Sequence, residues 1–122
     1  MNCSATELQQ VILNLLSNAY HAFDEAETKV QKDSTLTINI TLSFTDEFMN
    51  IEIADNGPGM DAWTRRHIFD PFFTTKEVGK GTGLGLSVSY FIITEHHGGS
   101  ITVDSEIDAG TTFTIQIPLD AD

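Results

Sequence analysis

The segment DNGPGM places a carboxylate directly before two closely spaced glycines. Asp55 begins it and continues the inward phase of a strand that carries Ile51 and Ile53. A carboxylate in an apolar setting needs a hydrogen-bond donor from protein, water or ligand, and the exocyclic amine of a purine is such a donor. Gly57 and Gly59 have no Cβ, so a flat ring could approach the backbone beside that acceptor. The alternative is a turn-initiating aspartate that bonds its own backbone, which is common before Asn-Gly.

Two asparagines, Asn14 and Asn18, lie four residues apart on one margin of an amphipathic helix. Asparagine is a mediocre helix former, so two of them inside a strongly periodic helix need a reason. An amide oxygen is a hard, neutral ligand that suits Mg²⁺, an ion that keeps several waters and bridges phosphate oxygens. Asn18 could supply that ligand. The alternative is a pair of ordinary asparagines at the border of a helix.

The run GKGTGLGL carries glycines at positions 79, 81, 83 and 85, around the start of a second predicted helix. It matches neither of the usual phosphate-loop fingerprints. Free amides at a helix N-terminus and a glycine-rich approach nevertheless form a cradle for an anion, and Lys76 and Lys80 lie beside it. The alternative is a flexible hinge.

Composition limits the partners of the chain. Its 122 residues include 6 basic and 18 acidic side chains, which gives a net charge of −12, and binding to duplex nucleic acid normally requires clustered lysine and arginine. The stretch 65–80 is an exception, since four basic and two acidic residues make it +2, and an anionic ligand would bind there first. The alternative, which charge alone favours, is a solvated loop with scattered charges. No apolar run approaches the roughly 20 residues of a membrane helix, and no signal segment begins the chain. We therefore expect a soluble domain that contacts neither nucleic acid nor membrane and that belongs to the cytoplasm, either by itself or as the cytoplasmic part of a membrane-anchored parent.

Hydrophobic periodicity predicts the helices that carry these groups. Apolar residues follow helical spacing from Leu8 to Ala26, and Ser4 with Glu7 forms a capping box before them. A short helical piece is predicted at 61–68. The second long helix is predicted at 83–96, ended by two glycines. Its predicted buried side consists of Leu84, Val88, Phe91 and Ile92.

Four segments alternate apolar and polar residues, which predicts strands with one buried face. Their inward residues are Leu36, Ile38, Ile40, Leu42 and Phe44, then Met49, Ile51 and Ile53, then Ile101 and Val103, and finally Phe113, Ile115 and Ile117. Strands of this kind form a sheet that is covered by helices on one face and solvated on the other. The predicted fold class is therefore α/β, a two-layer sandwich.

Three further residues with reactive side chains are interpreted as structural. His96 and His97 are adjacent, so they point in different directions on a helix and have no evident third ligand for a metal. Cys3 has no partner for a disulfide and no plausible base beside it.

Residues 69–82 show no sustained period, and long loops of this kind are usually functional lids or disordered.

Five motifs in order resemble the N, G1, F, G2 and G3 boxes of the catalytic ATP-binding domain of two-component sensor histidine kinases. They are NLLSNA at 14–19, DNGPGM at 55–60, FDPFFTTK at 69–76, GTGLGL at 81–86 and GTTF at 110–113. The segment EHHGGSITVDSE also resembles the part of this family that lies between its last two boxes. The resemblance covers about residues 4–118 and implies the Bergerat fold, a mixed sheet under helices with ATP beneath a mobile lid.

The resemblance also implies a role for each matched position. Asp55 would accept the adenine amine, with Gly57 and Gly59 beside the base. Asn18 would bind Mg²⁺ and Asn14 would lie beside the phosphates. The other implied nucleotide-binding positions are Gly81, Thr82, Gly83, Leu84 and Gly85 near the phosphates, and Thr112 near the base.

The implied function is that of a protein histidine kinase with ATP and Mg²⁺ as cofactors. Residues 1–122 would form one catalytic domain with a lid at about 67–82, where Lys76 or Lys80 would neutralise developing charge. The partners would be a separate dimerisation domain that carries the acceptor histidine, absent from this chain, and a response regulator downstream. Many members carry a basic residue where this chain has His21, so a phosphate contact there is open.

Two other classes of function are carried as rivals. One is a related Bergerat-fold enzyme, either an ATP hydrolase or a serine kinase of the anti-sigma type. Hydrolases of this fold use a glutamate at the position of Asn14, and an amide cannot take a proton from water, whereas an imidazole already presents a lone pair. The other rival is a module that binds nucleotide without chemistry.

Overall fold

The structure, a computed structural model, describes residues 5–29, 35–70 and 85–119. In chain order its helices are α1 (Ala5–Lys29), α2 (Ala62–His67) and α3 (Gly85–Phe91), and a π-helical turn (Ile92–His96) directly continues α3. Its strands are β1 (Ile38–Phe44), β2 (Phe48–Asp55), β3 (Ser100–Ser105) and β4 (Thr111–Pro118). The predicted helices and strands are therefore present, while Ser4 of the capping box lies outside the described residues.

The four strands form one sheet in the order β1-β2-β4-β3. Every pairing among the described residues is antiparallel. The two-layer α/β sandwich is confirmed, whereas the mixed sheet implied by the resemblance is not found in this part of the chain. The tight turns that join β1 to β2 and β3 to β4 make these two pairs antiparallel, and β2 and β4, which are distant in sequence, also pair in antiparallel fashion.

The hydrophobic core lies between α1, the end of α3 and the inner strands. Val11 and Leu15 of α1 are fully buried, as the helical spacing predicted. The inward residues predicted for β2 and β4 are all buried as well: Met49, Ile51, Ile53, Phe113, Ile115 and Ile117. Ile101 of β3 is also buried, and Val103 packs against this core.

The face of β1 that the sequence predicts as buried is exposed. Ile40, Leu42 and Phe44 are 52%, 56% and 60% exposed, although they pair with buried residues of β2. The prediction of a buried face was therefore wrong for these three residues, whereas Ile38 is partly buried and packs against the core. Both β1 and β3 lie at the ends of the described sheet, but α2 and the π-helical turn pack beside β3, while β1 contacts mainly β2.

The predicted buried side of the second helix was also wrong in part. The helix begins at Gly85, Leu84 lies outside the described residues, and Val88 and Phe91 are 36% and 52% exposed. The buried side instead contains Ser89 and Ile93 together with the predicted Ile92. The small Ser89 side chain lies against α1, where its Oγ accepts a hydrogen bond from Asn14 Nδ2 at 3.2 Å, and Val88 and Phe91 lie toward solvent.

Candidate functional site

The carboxylate of Asp55 ends β2 at the border of the core. It is half-buried, and its Oδ1 accepts a hydrogen bond of 2.8 Å from the Gly57 amide. Burial raises the pKa of Asp55 above its usual 3.8, and this outweighs the opposing effect of backbone hydrogen bonds from Gly57 and Thr111. A carboxylate has about four acceptor positions. The group therefore makes the turn bond of the structural alternative and still has capacity for the donor of a ligand.

The raised pKa of Asp55 predicts a pH effect on stability. Because the folded state favours the protonated carboxyl, the cost of ionised Asp55 is present above the raised pKa and disappears as the pH falls through it toward 3.8. The wild-type chain should therefore gain stability relative to Asp55→Asn on acidification. Melting temperatures of both chains between neutral and acidic pH measure this, and a constant difference between them would contradict it.

The turn after Asp55 is fixed to the chain that enters β1. Asn56 donates from Nδ2 to the carbonyl of Thr35 at 2.9 Å and accepts from the Thr37 amide at 2.8 Å. Its own amide donates to the Thr37 carbonyl at 3.2 Å. The position of Asp55 is thus set on both sides, by the sheet and by this side chain.

The turn after Asp55 is also hydrogen-bonded to the connection between β3 and β4. The Ser105 hydroxyl accepts from the Met60 amide at 2.8 Å, donates to the carbonyl of Gly110 at 2.9 Å and lies 2.9 Å from the Thr111 hydroxyl. The Asp108 amide donates to the Pro58 carbonyl at 2.7 Å. Ser105 and Thr111 are buried. These hydrogen bonds therefore join the turn after β2 to the connection between β3 and β4.

Thr111, and not the predicted Thr112, lies beside Asp55. The two residues are opposite each other across β2 and β4, and Thr111 is 8% exposed. Thr112 is opposite Ala54 and belongs to the other face of the sheet. The sequence did carry the signal, because Thr111 has the same phase as the inward Phe113. Ser105 carried no such signal, since its bonds are made to distant parts of the chain.

The two glycines of the turn are explained by contacts within the protein. A Cβ at Gly57 would lie 2.9 Å from Asp55 Oδ1. Gly59 has a φ of +73°, and a Cβ there would overlap the Glu106 carbonyl oxygen. Their small size therefore admits the carboxylate and the neighbouring turn, which is a different reason from the approach of a ligand.

Gly59→Ala should destabilise the chain by at least about 2 kcal/mol, because a left-handed backbone disfavours any Cβ and the Glu106 carbonyl must also move. The matched control is Gly98→Ala, where φ is +64° and nothing lies within 4 Å of an added Cβ. The control should lose only the backbone preference, about 1 kcal/mol. Urea unfolding of the three chains tests this, and equal losses at both positions would refute it.

The two asparagines of α1 are half-buried on the margin of the helix. Asn14 Nδ2 donates to Ser89 Oγ of α3 at 3.2 Å. Ser89 lies four residues after Gly85, the first residue of that helix. His21, one turn beyond Asn18, is exposed. The structure therefore brings Asn14 next to the helix that follows the glycine run.

Several predicted site residues lie outside the described part of the chain. These are Lys76, Lys80, Gly81, Thr82, Gly83 and Leu84, and Gly85 is described only as the first residue of α3. Phe69, which begins the FDPFFTTK segment, packs against Tyr90 and Phe113 at ring distances of 5.2 and 6.1 Å. The entry to the predicted lid is thus attached to the core.

The donor set of the described residues fits one kind of metal site. Within this part of the chain no group of three or more His, Cys, Asp and Glu side chains could hold an ion. The half-buried amide of Asn18 offers an oxygen ligand, the kind that Mg²⁺ prefers, and Mg²⁺ usually keeps several waters and needs few protein ligands.

The two adjacent histidines have structural partners. His96 Nδ1 lies 2.8 Å from Glu7 Oε2, which joins the end of the π-helical turn to the start of α1. His97 is buried, and its Nδ1 donates to the carbonyl of Ile92 at 3.0 Å. These contacts agree with the structural interpretation of both residues.

A sheet under helices, a half-buried acceptor carboxylate where an inner strand ends and two half-buried amides on α1 together form a set of groups suited to binding a nucleotide. The chain belongs to the histidine kinase-, DNA gyrase B- and HSP90-like ATPase family, whose profile matches residues 3–121. Within the described residues, no helix is long and apolar enough to cross a bilayer.

Among known proteins, the chain is similar to sensor histidine kinases. It is 42% identical to the sensor kinase CckA of Brucella abortus over 118 residues, which is 92% of this chain and 12% of that protein. It is 41% identical to the histidine-protein kinase AtoS of Escherichia coli, over 98% of this chain and 18% of the relative. The nucleotide-free catalytic domain of the histidine kinase ThkA superposes with a TM-score of 0.76 at 33% identity, covering 95% of this chain and 69% of that one. The chain thus spans less than a fifth of either curated relative.

Proposed function

We propose that this chain binds Mg·ATP and transfers the γ-phosphoryl group to a histidine on a separate dimerisation domain, from which it passes to an aspartate of a response regulator. The observation that carries nucleotide binding is the half-buried Asp55, whose burial raises its pKa and whose position is fixed by Gly57 and Thr111. The similarity to CckA and AtoS supports the choice of reaction.

At the base end, Asp55 accepts the adenine amine and Gly57 and Gly59 keep the turn in place beside it. Thr111 and Ser105 hold that turn in position through hydrogen bonds. No contact with the base is proposed for Thr112. The charge of the ionised carboxylate strengthens the bond to the amine, because charge-assisted hydrogen bonds are stronger than neutral ones. Recognition of adenine therefore depends on Asp55 and on the two hydrogen-bonded turns that hold it in position.

At the phosphate end, Asn18 would hold Mg²⁺ through its amide oxygen, and the bound ion would neutralise phosphate charge. Asn14 would lie beside the phosphates, and its Nδ2 donates to Ser89 Oγ of α3. Gly81, Thr82, Gly83, Leu84 and Gly85 are assigned to phosphate binding, because a glycine-rich approach to a helix suits an anion. Lys76 or Lys80 would neutralise the charge that develops as the terminal phosphoryl group leaves.

The amide at Asn14 favours transfer over hydrolysis. An imidazole nitrogen of the acceptor histidine attacks the γ-phosphorus with its own lone pair, the bond from that phosphorus to the bridging oxygen breaks, and ADP leaves with the electron pair. No base is needed to activate this nucleophile, whereas water would need one. An amide at this position serves the first reaction and hinders the second.

The domain organisation follows the same proposal. Residues 1–122 form the catalytic domain with a lid at about 67–82, and the acceptor histidine lies on another domain of the parent protein. The location of the reaction is the cytoplasm.

The test is a transfer assay with the full-length parent and ATP labelled at the γ-phosphate. Label should appear on the acceptor histidine in an acid-labile, base-stable form. Asp55→Asn should remove it, while Glu52→Gln, the same charge change at an exposed position of β2, should not. An unlabelled histidine with intact nucleotide binding would contradict the kinase proposal and favour a module that binds nucleotide without chemistry. Steady phosphate release by the isolated chain would favour an ATP hydrolase.

A further inference from the structure

Two polar contacts link α1 to α3 and to the π-helical turn that continues it. His96 Nδ1 lies 2.8 Å from Glu7 Oε2, and Asn14 Nδ2 donates to Ser89 Oγ at 3.2 Å. The two contacts are seven residues apart on each segment, and seven residues make two turns along one face of α1. Because the order of the partners is reversed, α1 and α3 run antiparallel and are fixed to each other at two points.

The Ser89 hydroxyl lies in the interior of the helix pair. Ser89 is fully buried, on the side of α3 that also carries the buried Ile92 and Ile93. A buried hydroxyl costs free energy unless it is hydrogen-bonded, and alanine would be the better helix former at this position. Packing of α3 against α1 does not require the hydroxyl, whereas the bond from Asn14 does. That bond is therefore a reason for a serine at this position.

The other contact lies in different surroundings. The side chains of His96 and Glu7 are 45% and 33% exposed, and Glu7 is two turns from Asn14, toward the start of α1. This contact joins the ends of the two segments and touches no residue that is assigned to the nucleotide. It therefore provides a matched control for the bond between Asn14 and Ser89.

We propose that Ser89 is a positioning residue for Asn14, the amide assigned to the transfer step, an inference that rests on the proposed function. The χ2 angle of an asparagine is broadly variable, and a hydrogen bond to a fully buried partner restricts it. An amide that is held in one orientation needs no rearrangement as charge develops on the leaving phosphate. Because Ser89 is buried, it acts through Asn14 and does not itself contact the nucleotide.

The test compares variants of the full-length parent in the assay with γ-labelled ATP. Ser89→Ala removes only the hydroxyl oxygen. Loss of an orienting hydrogen bond around a metal site typically costs about 10- to 100-fold in activity. The maximal rate of labelling should fall about tenfold, at the lower end because the bond is neutral and 3.2 Å long. The ATP concentration at half the maximal rate should stay the same, since a change confined to the rate indicates an interaction made in the transition state.

Three further variants distinguish positioning from a general effect on the helix pair. His96→Ala removes the other contact and should label at the wild-type maximal rate. Ser89→Cys keeps a side chain of similar shape with a weaker acceptor and should give an intermediate rate. In an Asn14→Ala background, Ser89→Ala should cause no further fall. An equal fall in His96→Ala, or a further tenfold fall in the Asn14→Ala background, would overturn the inference.

Urea unfolding of the 122-residue chain tests the bond without any transfer, and circular dichroism establishes that each variant is folded. Residues that share one hydrogen bond lose stability non-additively. The double variant Asn14→Ala, Ser89→Ala should therefore lose less stability than the sum of the two single losses. Asn14→Ala combined with His96→Ala should be additive. Additive losses for both pairs would contradict the role of Ser89.

Failure of this inference is distinguishable from failure of the proposed function. A wild-type parent that does not label its histidine contradicts the proposed function, and the role of Ser89 in transfer falls with it. A wild-type parent that labels, together with Ser89→Ala at the wild-type rate, contradicts only the role of Ser89.

Discussion

Asp55→Asn is expected to abolish the rise in melting temperature that Mg·ADP or Mg·ATP gives the wild-type chain. A ligand at a hundred times its dissociation constant adds about 2.7 kcal/mol of stability, which for a domain of this size is a shift of several degrees. The asparagine Oδ1 can still accept from the Gly57 amide, so the turn is kept. What is lost is the charge and one acceptor oxygen, and the new NH₂ group would face the amine of the base.

The control for this measurement is Glu52→Gln, which removes one negative charge from an exposed position of the same strand. It should shift with nucleotide as the wild type does. An Asp55→Asn chain that responds fully to nucleotide would show that the base lies elsewhere. A folded wild-type chain that does not respond at all would show that these residues alone do not form the pocket.

The inward residues of β2 and β4 were predicted well because each of these strands lies between two others in the described sheet. Those of α1 and β3 were also predicted well, because the apolar face of each packs against another element. Alternation in β1 identified the apolar face correctly, yet periodicity cannot say whether another element covers it. That depends on strand order, which places β1 at the edge.

The site shows the same division between local and distant information. The carboxylate of Asp55 was predicted from its inward phase, and the structure shows that the two competing interpretations are compatible, since the group both makes a turn bond and is half-buried. The role of Ser105 depends on Met60 and Gly110. A hydroxyl that joins two turns has no periodic signature, so only the folded chain identifies it.

The second large effect is expected at Asn18, where alanine should remove the part of nucleotide binding that requires Mg²⁺. In the wild type the melting-temperature shift with ADP should be larger with Mg²⁺ than with a chelator present, because Asn18 would hold the ion and the ion would neutralise phosphate charge. Asn18→Ala should give the smaller shift under both conditions. Gln10→Ala removes an exposed amide from the same helix and should keep the Mg²⁺ response.

Comparison with Asp55→Asn separates the two ends of the nucleotide. If Asp55 holds the base and Asn18 the metal, the Asp55 variant loses the shift with and without Mg²⁺, whereas the Asn18 variant loses only the difference between the two conditions. A full Mg²⁺ response in Asn18→Ala would contradict the metal assignment while leaving Asp55 untouched. Because Asn14 is already bonded to Ser89, its amide orientation is set by the protein, and the Mg²⁺ response should therefore depend more strongly on Asn18 than on Asn14.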